Sequence, residues 1–173
     1  MPIRIRQERP DDAREVASVV ESAFADASVA DFTDRIRRSP AYVPALTFVA
    51  EEDGELLGFT MLSEVELEGR TEPLLILTPM AVRRDRQREG IGAELVRAAV
   101  AAADVRGEPL VLVEGVPAYY PRFGFVPATG LGLLRPDERI PEAAWLARPL
   151  AAYDPSIRGT IVYPDFFPGP PGA

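Results

Sequence analysis

The sequence predicts a single α/β (α+β) domain with a central mixed, mostly antiparallel sheet flanked by helices, and three observations carry that prediction. Short apolar runs bounded by turn signals recur at Thr47 to Ala50, Leu56 to Leu62, Leu74 to Leu77 and Leu110 to Val113. Asp53-Gly54 separates the first two of these, a hairpin signal. A helical pattern from Ile91 to Val105 separates the last two, the spacing of a right-handed crossover between parallel strands.

Element by element, Ile3 and Ile5 alternate with Arg4 and Arg6, so the chain opens as a half-buried strand. Pro10-Asp11-Asp12 supplies helix-start chemistry, and Ala13, Val16, Ala17, Val20, Ala23 and Phe24 then share one helical face. A second short helix is predicted around Asp31 to Arg38, with Phe32 and Ile36 inward and Ser39-Pro40 as its end. The second hairpin arm continues through Val65 and Leu67, alternating with Glu64, Glu66 and Glu68, and turns at Gly69-Arg70. Leu74-Leu75-Ile76-Leu77 is continuously apolar, as expected of a strand covered on both faces. Leu95, Val96, Ala99, Ala102 and Ala103 form one side of the next helix, which stops at Gly107. Beyond Phe125 a short helix from Pro141 to Arg148 and a strand from Thr160 to Tyr163 are expected. Residues 1–167 are read as one domain, and the Pro- and Gly-rich residues 168–173 as a flexible tail.

Composition narrows the chemistry. The 173 residues are 47% hydrophobic and 27% charged, the profile of an ordinary globular domain. Cys and His are absent, which removes thiolate nucleophiles, Cys-based zinc sites and the Ser-His-Asp and Cys-His arrangements. All 19 basic residues are Arg, so lysine Schiff bases and the Gly-Lys-Ser/Thr phosphate loop are excluded as well. Neither a metal nor a cysteinyl acyl-enzyme is expected. The N-terminal residues show no apolar signal region, and no stretch is long enough to span a bilayer, so a cytoplasmic location without membrane association is expected. The net charge of −8 argues against nucleic acid as a partner.

One segment departs from that acidic background. Residues 83–88 hold four Arg and one Asp just before a helix start, and Gly90 and Gly92 follow. Glycines allow close backbone approach, and the free amides and positive end of a helix favour phosphate. The same pattern is also that of a solvated arginine-rich turn. Pro79 cannot donate to a sheet ladder, so pairing is expected to lapse there and leave amides near Met80 to Val82 for an extended ligand, unless the strand is simply an edge. Downstream, Ala118-Tyr119-Tyr120-Pro121-Arg122-Phe123-Gly124-Phe125 brings a phenol close to the C-terminal end of a parallel strand, where ligands of open α/β sheets bind.

Taken in order, these features resemble the GNAT superfamily of N-acetyltransferases, which use acetyl-CoA. Gln87-Arg88-Glu89-Gly90-Ile91-Gly92 is similar to the family's Gln/Arg-x-x-Gly-x-Gly/Ala pyrophosphate loop, with Ala93 next to it. Met80-Ala81-Val82 resembles the preceding strand that holds pantetheine by backbone bonds. Tyr120-Pro121-Arg122-Phe123-Gly124-Phe125 resembles the family's Tyr-x-x-φ-Gly-Phe segment, whose Tyr often protonates the departing thiolate. The resemblance covers roughly residues 3–126 and implies a parallel strand pair splayed at the acetyl-CoA site. It implies Met80, Ala81, Val82, Gln87, Arg88, Glu89, Gly90, Ile91, Gly92, Ala93 and Arg122 as acetyl-CoA-binding residues, and Tyr120 as catalytic acid. A Rossmann site is the competitor for Gly90-Ile91-Gly92, but Leu95 occupies the place of its third glycine.

Acetyl transfer to an amine needs a neutral amine, a donor to the oxyanion and an exit for the thiolate. The amide of Met80 or Val82 is the candidate donor. Glu114 ends the apolar run Leu110 to Val113 and is the candidate general base; Glu51, Glu52 and Glu64 are rivals, and water can relay the proton. With no Cys, direct attack in a ternary complex is expected. The acceptor is expected to be a small-molecule or peptide amine, and a homodimer is allowed. A catalytically silent acyl-CoA sensor or interaction module on the same fold is the alternative reading.

Overall fold

A computed structural model describes residues 2–168 of the chain. Of the expected tail, all but Pro168 lies outside the described residues. The described residues fall into two compact units, one within Met1–Ser63 and Thr78–Ala102, the other within Glu64–Leu77 and Ala103–Ala173.

The first unit contains β1 (Arg4–Gln7), α1 (Ala13–Phe24), α2 (Ala27–Arg37), β2 (Tyr42–Glu52), the first part of β3 (Glu55–Leu67), the last part of β4 (Leu74–Val82) and most of α3 (Ile91–Val105). β1 pairs antiparallel with β2, Ile5 opposite Ala50. The β2–β3 hairpin turns through Asp53 and Gly54, at φ 51° and 86°. Positive φ at both central residues matches the right-handed twist of the arms, which is why Asp-Gly is found there. A 3-10 turn at Pro10–Asp12 leads into α1. The Asp12 carboxylate accepts from the Arg9 backbone N–H at 2.7 Å and from Arg6 Nη1 at 2.6 Å, while Arg6 Nε donates to Glu51 at 2.6 Å. One guanidinium thus ties β1 to both β2 and the helix start.

α2 begins earlier than the spacing predicts, at Ala27 rather than near Asp31, because Asp26 caps it by accepting from the Ser28 N–H at 2.9 Å. At its other end Arg37 ion-pairs with the buried Glu8, bonds Asp34 at 2.8 Å and lies over the Phe59 ring, 5.4 Å from its centroid. Burial pushes the Glu8 carboxyl up, and Arg37 opposes that shift. α3 keeps the predicted bounds and buries Ile91, Leu95, Val96 and Ala99. It lies so close to β3 that a Cβ added at Gly58 would stand 2.9 Å from Leu95 Cδ1 and 3.1 Å from Ile91 Cγ2.

The second unit contains the end of β3, the start of β4, β5 (Leu110–Glu114), β6 (Val126–Pro127), β7 (Leu133–Leu134), β8 (Trp145–Pro149) and β9 (Gly159–Val162). β4 and β5 run parallel, Leu75 opposite Val111 and Ile76 opposite Leu112. β8 pairs antiparallel with β5 and with β6, and the end of β3 pairs antiparallel with β9, which pairs parallel with β7. The sheet is mixed, as predicted.

The helix expected from Pro141 to Arg148 is absent. A 3-10 turn at Glu142–Ala144 gives way at once to β8. Trp145, Leu146 and Ala147 are all buried on a strand between β5 and β6, and a short continuous apolar run does not distinguish a buried strand from a helix. The Trp145 indole N–H donates to the Leu133 carbonyl at 3.0 Å, fixing this core.

Candidate active site

β4 is not interrupted at Pro79. It continues to Val82, and the Pro79 carbonyl accepts from Thr60 Oγ1 at 3.2 Å. What does lapse is pairing with β5, recorded at Leu75 and Ile76 and at no later residue of β4 among those described. Ala81 is buried, whereas Met80 and Val82 on either side are half-buried.

From Val82 the chain runs through Arg83, whose N–H donates to the Leu57 carbonyl at 2.8 Å, into a 3-10 turn at Arg84–Arg86. The Arg84 N–H reaches Ser22 Oγ at 3.3 Å, and the Gln87 side chain returns to the Val82 carbonyl at 3.0 Å. Arg88 and Gly90 adopt φ of 67° and 87°. After this point the backbone N–H groups of residues 87–93 have no acceptor among the described residues, and the next amide, Glu94, bonds the Gly90 carbonyl at 3.1 Å. Gln87, Arg88, Glu89 and Gly90 are exposed, Gly92 and Ala93 half-buried and Ile91 buried. A row of free donors at the start of a 15-residue helix is a geometry and a dipole that can receive an anion.

The cationic island is smaller than its sequence count suggests. Arg83 is bound to Asp85 at 2.6 Å and to Glu55 at 3.3 Å; Arg86 is bound to Glu52 at 2.8 Å and to Glu89 at 2.9 Å. Asp85 is held near 2 by the Arg83 hydrogen bond. Arg84 and Arg88 have no ion pair among the described residues. The hairpin carboxylates Glu52 and Glu55 were the missing partners; the Asp-Gly turn put them at the hairpin tip, but only the fold brings that tip to the loop.

In the second unit Glu114 ends β5, and its carboxylate accepts from the Tyr163 hydroxyl at 3.1 Å. Desolvation pushes the Glu114 carboxyl above its usual range, and the Tyr163 bond opposes that. Tyr163 was not singled out from sequence; it closes the expected Thr160 to Tyr163 run, and a tyrosine there was its only signal. Of the rival carboxylates, Glu51 is bonded to Arg6 and Glu52 to Arg86, so neither is free to shuttle a proton. Glu64 is half-buried on β3.

Tyr120 is buried, at 7% exposure, in a 3-10 turn at Tyr120–Phe123, and its ring packs edge-on against Tyr119 and Phe125. Burial pushes its phenol well above the usual value. A Cβ at Gly115 would stand 2.3 Å from Tyr120 Cε2, so the absence of a side chain at 115 is what lets the ring lie there. Arg122 is exposed, donates from Nε to the Tyr119 carbonyl at 3.0 Å and lies over the Tyr119 ring at 4.8 Å.

Comparison with known proteins bears on this arrangement. Residues 44–127 match the family model described as an acetyltransferase (GNAT) domain. The chain is 30% identical over 155 residues to the uncharacterized N-acetyltransferase YjhQ of Escherichia coli K12, covering 87% of this chain and 86% of that one. Among solved structures it is similar to the GNAT family N-acetyltransferase YhbS of E. coli in complex with CoA, with a TM-score of 0.87, 26% identity and coverage of 95% and 91%. A GNAT family acetyltransferase of Brucella melitensis in complex with acetyl-CoA superposes with a TM-score of 0.78 and 29% identity, covering 96% of this chain and 99% of that one.

Proposed function

Because this chain belongs to the GNAT acetyltransferase family, we propose that it moves an acetyl group from acetyl-CoA to an amine by direct attack within a ternary complex. The observation that carries the reading is the run of amides at residues 87–93 without an acceptor among the described residues, together with Arg84 and Arg88, which have no ion pair among those residues. These groups fit a pyrophosphate, which needs several convergent N–H donors and diffuse positive charge. Met80, Ala81 and Val82 are the residues that would hold the pantetheine arm through their backbone. Acetyl-CoA supplies the acyl group in activated form, as a thioester.

In the proposed reaction the Glu114 carboxylate takes one proton from the ammonium form of the acceptor, leaving a neutral amine. The amine nitrogen attacks the thioester carbonyl; the C–N bond forms, the C–S bond breaks, and the nitrogen's second proton passes through water to the released thiolate, which leaves as the free thiol of CoA. The backbone N–H of Met80 or Val82 donates to the carbonyl oxygen as charge develops on it. Tyr120 donates to the departing sulfur. A free alkyl thiol has a pKa near 8.5 and an unperturbed phenol near 10, so complete proton transfer is uphill by about 2 kcal/mol before any burial. Burial of Tyr120 widens that gap, which favours a hydrogen bond to the thiolate over full protonation.

Initial rates of CoA release, measured while acetyl-CoA and an amine are varied together, test the proposal. Intersecting patterns are the expected result; parallel lines, the mark of a covalent acetyl-enzyme, would overturn direct attack.

A further inference from the structure

The second unit holds a cavity of about 310 Å³ whose lining includes Glu114 and its partner Tyr163. Buried Ile161 contributes apolar surface, and the Tyr163 and Phe167 rings, with centroids 4.8 Å apart, contribute aromatic surface. Glu68 and Asp137 add two more carboxylates, and among the described residues no Arg lines the cavity. The three carboxylates are not equivalent. Asp137 is paired with Arg139 at 2.7 Å, whereas among the described residues Glu114 receives only a neutral phenol and Glu68 has no ion pair.

We propose that this cavity seats the acceptor, and that the acceptor is a small organic cation: a protonated primary amine on a short apolar or aryl body. An ammonium group compensates Glu114 and Glu68, which otherwise face one concave volume without a counter-charge. An aryl or methylene body matches Ile161 and the aromatic rings, whose faces also attract a cation. The volume lies at the low end for small-molecule sites, which suits a small monoamine and excludes a folded protein surface. Anionic acceptors are rejected by the same carboxylates. Glu68 is then a specificity residue, and Tyr163 a positioning residue that holds the Glu114 carboxylate in place.

The identification of the cation as acceptor rests on the acetyl-transfer reading, but its binding does not. Calorimetric titration of the full chain with phenethylammonium, phenethyl alcohol and 3-phenylpropionate, each with and without acetyl-CoA, separates the two. The ammonium is expected to bind about tenfold tighter than the alcohol, and the carboxylate not to bind. Glu68→Gln is expected to weaken ammonium binding severalfold and to raise KM for the amine while leaving kcat and acetyl-CoA binding unchanged. Equal affinity for ammonium and alcohol, or undiminished ammonium binding in the Glu68→Gln/Glu114→Gln double variant, would overturn the proposal. Amine binding without any acetyl-CoA binding would sink the acetyl-transfer reading and leave the cation site standing; the converse would sink the cation site alone.

Discussion

Tyr120 carries the most exposed prediction at the level of single residues. A phenol that hydrogen-bonds the thiolate without fully protonating it is useful but replaceable, because the thiolate is already a tolerable leaving group. Tyr120→Phe is therefore expected to slow acetyl transfer by about ten- to a hundredfold without abolishing it, and unchanged turnover would remove the hydroxyl from the chemistry. Gly115→Ala tests the same ring from below: its Cβ meets Tyr120 at 2.3 Å, so the ring must shift. A loss of about 1–3 kcal/mol in unfolding free energy is expected, relieved when Tyr120→Ala is added. Glu114 and Tyr163 make a prediction in pH. The Tyr163 bond stabilises the ionised carboxylate, so Tyr163→Phe removes an influence that lowers the Glu114 pKa. If Glu114 is the base, the acidic limb of kcat/KM moves to higher pH in that variant. A limb that stays put would point to Glu64 or to water. The sequence singles out Tyr120 and Glu114 as candidates through a motif and a strand end, but Tyr163 lies 49 positions from Glu114 and only folding pairs them.

Among the elements, the loop before α3 and the start of α1 behave differently. Within the loop, Arg84 and Arg88 have no ion pair among the described residues, whereas Arg83 and Arg86 are engaged with carboxylates. Arg84→Ala and Arg88→Ala are each expected to weaken acetyl-CoA binding by about three- to tenfold and to reduce its salt dependence, with smaller effects from Arg83→Ala, as titrations at low and high salt would show. At α1, Asp12 accepts from Arg6 and from the Arg9 amide, and the Arg6 bond holds its carboxyl below the ordinary 3.8. A depressed folded-state pKa contributes stability above 3.8 that is lost as pH falls through the folded value. Asp12→Asn should therefore cost about 1–3 kcal/mol near neutrality, with the two proteins converging in acid denaturation profiles at low pH. These elements were legible where periodicity or a turn was strong: α3 keeps its predicted bounds, and Asp53-Gly54 makes the predicted hairpin. β8 was missed because Trp145-Leu146-Ala147 carries no period, and the pairing with β5 that decides its conformation spans distant sequence.

For the whole molecule, the predicted mixed sheet is present, with the parallel pair β4 and β5 and antiparallel neighbours to β5 and β2. The GNAT resemblance was readable because the loop before α3 needs a left-handed backbone at residue 90, and Gly90 records that need in sequence. The cavity proposed to seat the acceptor was not readable, because its lining is drawn from the ends of β3, β5 and β9 and from the loop around Asp137. Charge acts at this scale too: a chain of net −8 would attract a cationic acceptor of the proposed kind over distance, while acetyl-CoA, on the proposed reading, would have to find the local cations of the loop. Thermal unfolding of the purified chain with acetyl-CoA, CoA and NAD, each in turn, tests the central claim most directly. At a hundredfold excess over Kd, a ligand bound only by the folded state stabilises it by about 2.7 kcal/mol, or roughly 5 to 10 °C for a chain of this length. Acetyl-CoA and CoA are both expected to raise the midpoint by such an amount and NAD to leave it unchanged; no shift with millimolar acetyl-CoA would contradict the assignment of the residue 87–93 amides to its pyrophosphate.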